Sequence, residues 1–510
     1  MNRTVLKTLL LSTIALAGPP LPARADDNPL AKINTVVVIY AENRSFDNLY
    51  GLFPGADGVQ NLKPEQFTQV DRDGKPLAEL PPSWGGLSAK DVTPAISEVQ
   101  TLHFANSPFR IDDEKGLNFP FEKPTRDLWH RFYQEQMQIG GGKNDQFAAW
   151  SDGGGAVMGT YDGSKLPMWA VAQKYVLADH FFFGAFGGSF INHFMLVCAC
   201  VPKYPDVANS PAKPLIASVN DDGVSLKTVA ESPASALQGP PKFESDGAIT
   251  PDGFAVNTMQ PPYQPSANKP AAGGDATLAD PAAKNTLPPQ TMPHIGDSLS
   301  AKNVTWAWYA GAWSAALDGK GAGPVPNFQF HHQPFNYFAD MAPGTPARAE
   351  HLKDGGLAGV EFLKDVDAGK LAQVTFYKPQ GNLNEHPGYT DIISGDQHIA
   401  DVISHLEKSP QWPGMLVVVS YDENGGFWDH VAPPKADRWG PGNRVPTIIV
   451  SPFAKMGTVD HTPYDTTSIL RFITKRFALE PLAGLVERDA ALKANNQPPL
   501  GDLTQALDIK

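Results

Sequence analysis

Cysteine is nearly absent from this chain: Cys198 and Cys200 are the only two in 510 residues. That excludes a disulfide scaffold and any zinc site built on several thiolates. Separated only by Ala199, the two are compatible with a local disulfide in an oxidising compartment or with two buried thiols in an apolar helix. Basic charge is also short, with 41 Lys and Arg against 54 Asp and Glu for a formal net charge of −13. No Lys/Arg-rich stretch offers the basic surface that counterion release requires, so nucleic acid is excluded as a partner. Past the first residues there is no run of roughly 18 apolar residues, the minimum for a membrane span.

The one N-terminal apolar stretch is short. Arg3 and Lys7 precede the segment 9–17, followed by small and Pro-rich residues ending in Ala23-Arg24-Ala25. This pattern reads as a cleavable signal peptide over residues 1–25, with cleavage after Ala25 and a periplasmic or secreted destination. Those residues carry three basic groups and no acid, so their removal takes the formal charge to −16. Abundant Gly (46) and Pro (48) with 10% aromatic residues describe a loop-rich globular chain rather than a disordered one.

Strand-like runs alternate with helical patterns. Val36-Val37-Val38-Ile39-Tyr40 is apolar and β-branched, and it ends abruptly in Glu42-Asn43. Met415–Ser420 repeats the arrangement and ends in Asp422-Glu423. Further strands are expected at 304–309, 373–377 and 447–450, and a strand-like run follows a helix at 169–177. Helical patterns cover 123–150, 295–301, 396–406 and 466–477. This order implies an α/β fold with a mostly parallel central sheet covered by helices on both faces. Between about 202 and 290, Pro, Ala, Gly and Ser predominate, marking a loop-rich insertion or cap. Gly142-Lys143 lacks the upstream glycine and the following Ser/Thr of a phosphate loop.

In open α/β sheets ligands sit at the carboxyl ends of the strands, which directs attention to Glu42, Asn43, Asp422 and Glu423. All four are hard oxygen donors of the kind that hold divalent cations, although each could singly be a cap or a strand end. Ser189 follows Gly187-Gly188, where the backbone can approach a phosphate and a helix beginning at the serine would aim N–H groups at an anion; an ordinary N-cap has the same appearance. His386 follows the 373–377 strand, and His331-His332 are adjacent, so these imidazoles are candidates to donate to phosphoryl oxygens or protonate a leaving group. His103 and His130 have less defined surroundings, and His193 is expected to pack within its helix.

Together, Glu42-Asn43-Arg44-Ser45-Phe46-Asp47, the loop 187–189 and the run from Tyr421 through Asp422-Glu423-Asn424-Gly425-Gly426 to His430-Val431 resemble the bacterial phosphoesterase family of phospholipases C and acid phosphatases. The likeness continues through Arg444-Val445-Pro446 and Ser451-Pro452-Phe453 to Asp465-Thr466-Thr467-Ser468, covering nearly the whole of residues 26–510 as one domain. It implies an alkaline-phosphatase-like fold and one divalent metal ion, held by Glu42, Asn43, Asp422 and Glu423 with Ser189 as the nucleophile lying on it. His103, His331, His332 and His386 would surround the phosphate. Ser189 and Asn48 stand where the phospholipase branch typically has Thr and His, which favours the acid phosphatase branch.

The resulting expectation is a secreted acid phosphatase that hydrolyses phosphate monoesters by double displacement through a phosphoserine. A phospholipase C acting on phosphatidylcholine is the first alternative, so substrates range from small phosphate esters to phospholipids. A periplasmic binding protein that has lost catalysis is the second.

Overall fold

The apolar run at 36–40 forms strand β1, Thr35–Ala41, in a computed structural model that describes residues 28–114 and 116–509. The expected signal peptide lies outside the described residues. Every residue of β1 is buried, as a β-branched run must be when both faces of its sheet are covered. The other strands of the central eight-stranded sheet are β2 (Val176–Ala178), β3 (Trp306–Gly311), β4 (Leu352–Gly356), β5 (Val374–Lys378), β6 (Met415–Tyr421), β7 (Thr447–Val450) and β8 (Thr458–Asp460). Their order across the sheet is β8-β2-β7-β6-β1-β5-β3-β4. All pairings are parallel except those of β7, which runs antiparallel to both β6 and β2. The mostly parallel α/β sheet is therefore as the sequence implies.

Register positions the chemistry. Ala41 pairs with Tyr421 in the parallel β1–β6 ladder, and the Asp422 N–H donates to the Ala41 carbonyl at 3.1 Å. Glu42-Asn43 and Asp422-Glu423, 379 residues apart for the Asn43–Asp422 contact, thus leave the sheet side by side. On the other flank Ile39 pairs with Tyr377, so Lys378 ends β5 beside them.

The helices Ile295–Ala301 and Thr466–Phe477 match the periodicity residue for residue, the second closed at its N-terminus by the Asp465 carboxylate accepting from the Thr467 N–H. The helix at 396–406 is longer, Ile392–Lys408, because Asp391 caps it upstream. The pattern at 123–150 yields only Phe132–Ile139; Gly140 takes a left-handed φ of 56° and stops it. The segment 202–290 contains 3-10 turns and isolated bridges but no α-helix or ladder strand. Cys198 and Cys200 are joined in a disulfide at the end of the helix Ser189–Cys198, resolving the choice left by the sequence.

Candidate active site

Two tight turns bring the oxygen donors together. Asn43 has φ 59°, turning the chain sharply past β1, and Gly425 has φ 62° with no room for a side chain: a Cβ there would lie 2.4 Å from the Asn43 carbonyl oxygen. Asn43 N–H donates to Asp422 Oδ1 at 3.2 Å, as does Glu423 N–H at 2.9 Å, and Glu423 Oε2 accepts from Gly425 N–H at 2.5 Å. Ser189 is the first residue of its helix, after Gly188. Its hydroxyl donates to Asn43 Oδ1 at 3.3 Å and to Glu423 Oε1 at 3.4 Å. The helix N-terminus leaves unpaired N–H groups and the positive end of the dipole at this spot, a setting suited to an anion.

The Gly187-Gly188 loop is held by what it packs on. A Cβ at Gly187 would lie 2.7 Å from the Phe132 backbone nitrogen, and one at Gly188 would lie 3.0 Å from the His130 ring and carbonyl. Buried Glu135 accepts from Gly187 N–H at 2.5 Å; burial pushes its carboxyl up to about 8. This close approach delivers His130 to the serine. The His130 Nδ1 lies 2.7 Å from the Leu128 carbonyl, which only accepts, so Nδ1 carries the proton and Nε2 faces Asn43 Nδ2 at 3.5 Å and Glu423 Oε1 at 3.7 Å. His386 is arranged alike, with Nδ1 on the Pro387 carbonyl and Nε2 accepting from Asn43 Nδ2 at 3.0 Å.

Glu42 turns toward the second half of the site. Its Oε1 meets Lys378 Nζ at 2.7 Å and His332 Nε2, and its Oε2 accepts from Asn384 Nδ2 and the Tyr389 hydroxyl, both at 3.0 Å. Burial opposes its charge, yet His332 and Lys378 override burial and hold its carboxyl well below the usual range. At Asp422 and Glu423 burial prevails, although Lys378 opposes it at Asp422. Burial pushes Asp422 up to about 7, and burial with the Asp422 charge raises Glu423 well above an ordinary carboxyl. Asp422 Oδ2 has no hydrogen-bond partner. A fully buried carboxylate oxygen left unpaired, beside Asn43 Oδ1, Glu423 Oε1 and Ser189 Oγ, is the donor chemistry a hard divalent cation satisfies. Burial lowers His331, His332 (to about 4) and His386, with the Glu42 carboxylate opposing it at each ring.

Ser189, His130, His331 and His386 line a cavity of about 250 Å³ together with Arg131, Phe190 and Tyr389, with Asn257 and Thr258 contributed by the 202–290 segment. The structure therefore gathers Glu42, Asn43, Ser189, Asp422, Glu423, His331, His332 and His386. It does not gather His103. That ring projects from the loop at 101–106, 78% exposed, and meets Glu79 at 3.0 Å. His130 occupies the place beside the serine instead. Sequence reasoning missed His130, Lys378, Tyr389 and Asn384; Lys378, an ammonium closing an apolar strand two residues from a strand-end turn, was the one visible signal. His193 packs in its helix as expected, with Nδ1 2.7 Å from the Ser189 carbonyl.

A family model described as Phosphoesterase family matches residues 33–480. Non-hemolytic phospholipase C of Pseudomonas aeruginosa is 28% identical over 265 residues, covering 45% of this chain and 37% of that protein. Non-specific phospholipase C6 of Arabidopsis thaliana is 34% identical over 164 residues, covering 26% and 31%. Both matches span about a third of the relative's own length. Phospholipase C B of Mycobacterium tuberculosis aligns more fully, 22% identical over 539 residues, 97% of this chain and 82% of that one. Among solved structures, a protein in the alkaline phosphatase superfamily from Vibrio parahaemolyticus is similar at a TM-score of 0.32 and 8% identity, covering 72% of this chain and 68% of that chain.

Proposed function

The chain belongs to the phosphoesterase family, and from that premise we propose that it hydrolyses phosphate monoesters through a covalent phosphoserine at Ser189, with one divalent metal ion as cofactor. The observation that carries this reading is the Ser189 hydroxyl at a helix N-terminus, directed at Asn43 Oδ1 and Glu423 Oε1 beside the unpartnered Asp422 Oδ2. Asn43, Ser189, Asp422 and Glu423 would hold the cation, with Glu42 completing the set. Bound there, it would polarise the phosphoryl group and favour the serine alkoxide.

The protein's own residues supply the rest. Ser189 Oγ attacks phosphorus as the bond to the alcohol oxygen breaks, its proton passing to the imidazole of His130 on the same cavity wall. The helix N-terminus and the His331 and His386 rings lie around the cavity where the phosphoryl oxygens gather charge. His130, with its proton fixed on Nδ1, presents Nε2 to the reacting centre, receives the serine proton there and gives it to the departing alcohol. Water then cleaves the phosphoserine. Polar walls of Asp127, Arg131, Asn257, Thr258 and Gln329 suit a small, hydrophilic ester.

The second reading, a phospholipase C-type diesterase, draws on the names of the relatives. Turnover of a chromogenic phosphate monoester and of the matching phosphocholine diester, from pH 4 to 9 with and without chelator, separates the two. Preference for the monoester under acidic conditions supports the proposal; preference for the diester moves the protein to the phospholipase C reading. Binding without turnover of either returns it to a non-catalytic role. Export fits both readings: the Cys198–Cys200 disulfide belongs in an oxidising compartment, and among the described residues no helix is long and apolar enough to cross a membrane.

A further inference from the structure

The outer strands of the sheet carry a second group of metal-ligating side chains at the same edge. β2 and β8 are parallel, with Ala178 paired to Asp460, so Asp179-His180 and His461 leave the sheet side by side. Asp179 is fully buried. Its Oδ1 lies 2.8 Å from His180 Nδ1 and its Oδ2 lies 2.8 Å from His461 Nδ1. One atom from each of these three residues falls within 4.8 Å of the others. Asp57 approaches from the loop past β1: its N–H donates to Asp179 Oδ2 at 2.8 Å and its Oδ2 stands 3.4 Å from His180 Nε2. Buried Arg444 fixes both segments by donating to the backbone carbonyls of Asp57 and Asp179, each at 2.8 Å.

We propose that Asp57, Asp179, His180 and His461 form a second cation site, selective for zinc-like transition metals and separate from the oxygen-rich centre at Ser189. Two imidazoles and two carboxylates are the donor mixture that zinc accepts and that magnesium and calcium avoid. Tetrahedral ligands at about 2.0 Å from zinc stand roughly 3.3 Å apart, a spacing that small rotations of the rings reach from the 4.8 Å within which one ligand atom each of Asp179, His180 and His461 already lies. Charge points the same way. The neighbourhood holds four carboxylates: His430 bridges Asp47 at 2.6 Å and Asp57 at 3.1 Å, Arg444 links Asp47 to Asp429, and the Asp57 N–H reaches Asp179. Arg444 and His430 serve Asp47 and Asp429, which leaves Asp57 and Asp179 with imidazoles as their side-chain partners, and a divalent ion adds positive charge there. His461, 60% exposed, and Asp57, 48% exposed, give an ion its entry, while Asp179 anchors it from below. Bound there, the ion would staple the edge strands to the 53–59 loop.

The test is zinc titration of the chelator-treated full-length chain, read by calorimetry and by metal content after gel filtration, with cobalt absorption as a second readout. An Asp422→Asn variant removes the central site from the comparison. In that background the proposal expects one zinc per chain, and His461→Ala to weaken binding by at least tenfold and to abolish the tetrahedral cobalt bands. His461→Cys, which restores a zinc donor, brings both back. Equal zinc stoichiometry and affinity with and without His461, or no zinc taken up by the Asp422→Asn protein, overturns the proposal. His461 is largely exposed, so an unchanged melting temperature of metal-free His461→Ala confirms that lost binding is not lost folding.

Discussion

Two buried acidic clusters grow from the same pair of strands, a few residues apart, and they differ in one respect. Asp47 and Asp429 are met by Arg444, bonded to Asp47 at 3.1 Å and to Asp429 at 2.8 Å, and by His430 at 2.6 Å from Asp47. At Asp47 burial is overcome, His430 and Arg444 lowering its carboxyl, and the carboxylates lift His430 to about 9 against the pull of burial; at Asp429 burial still raises the carboxyl, with Arg444 opposing it. Asp422 and Glu423 are equally buried, have no cation in contact comparable with Arg444, and are pushed up to about 7 and higher. The first cluster is neutralised by the chain itself. The second needs charge from outside. Burial alone thus does not distinguish a structural carboxylate from one that serves a ligand; the supply of positive partners does.

The largest expected effect falls on the uncompensated cluster. Ser189→Ala should lower kcat by a factor of about 10⁴ or more with an unchanged circular dichroism melt; a rate within tenfold of wild type removes Ser189 from the nucleophile role. On the compensated side, Arg444→Met leaves Asp47 and Asp429 buried without their cation, a loss of about 3–5 kcal/mol. It should appear as a melting temperature lower by several degrees, and an unshifted melt would erase the contrast between the clusters.

Next comes His130→Ala, expected to cost about 10²–10³ in kcat on the chromogenic monoester. Because protons compete with the cation for Asp422 and Glu423, apparent metal affinity should climb as pH rises through about 7, with protons released on binding. A pH-independent affinity between 5 and 8 would mean these carboxylates are ionised without the ion. Smallest of all is His103→Ala. With its ring at the surface, activity should stay within about twofold of the parent, as expected for a surface substitution.

Much of this frame was readable in advance where one physical signal dominated. The strands β1, β6 and β7 are uninterrupted apolar runs, and their observed bounds fall within a residue of the pattern. Asp465 before an amphipathic stretch marked the helix Thr466–Phe477. β4 escaped, since Leu-Lys-Asp-Gly-Gly at the edge of a sheet carries no apolar alternation. The oxygen donors were legible because strand ends in a parallel sheet converge on one edge. The imidazoles were less so: His103 and His130 look alike along the chain, and only the packing of Gly188 against the His130 ring separates them. The Lys378 pairing with Glu42 depends on register across β1 and β5, which no local pattern encodes.

The parallel register that sets Ala41 beside Tyr421 also governs when the site comes into being. β1 emerges early in synthesis and takes its place between two strands that appear more than 300 residues later. Until β5 and β6 close around it, Glu42 and Asn43 have no partners across the ladder and no shared place for a cation. Contacts of such long sequence separation form slowly, since loop closure precedes their reward. A chain halted before residue 415 therefore carries its serine and its first acidic motif but nothing that assembles them, so competence for chemistry waits on the segment from residue 415 onward.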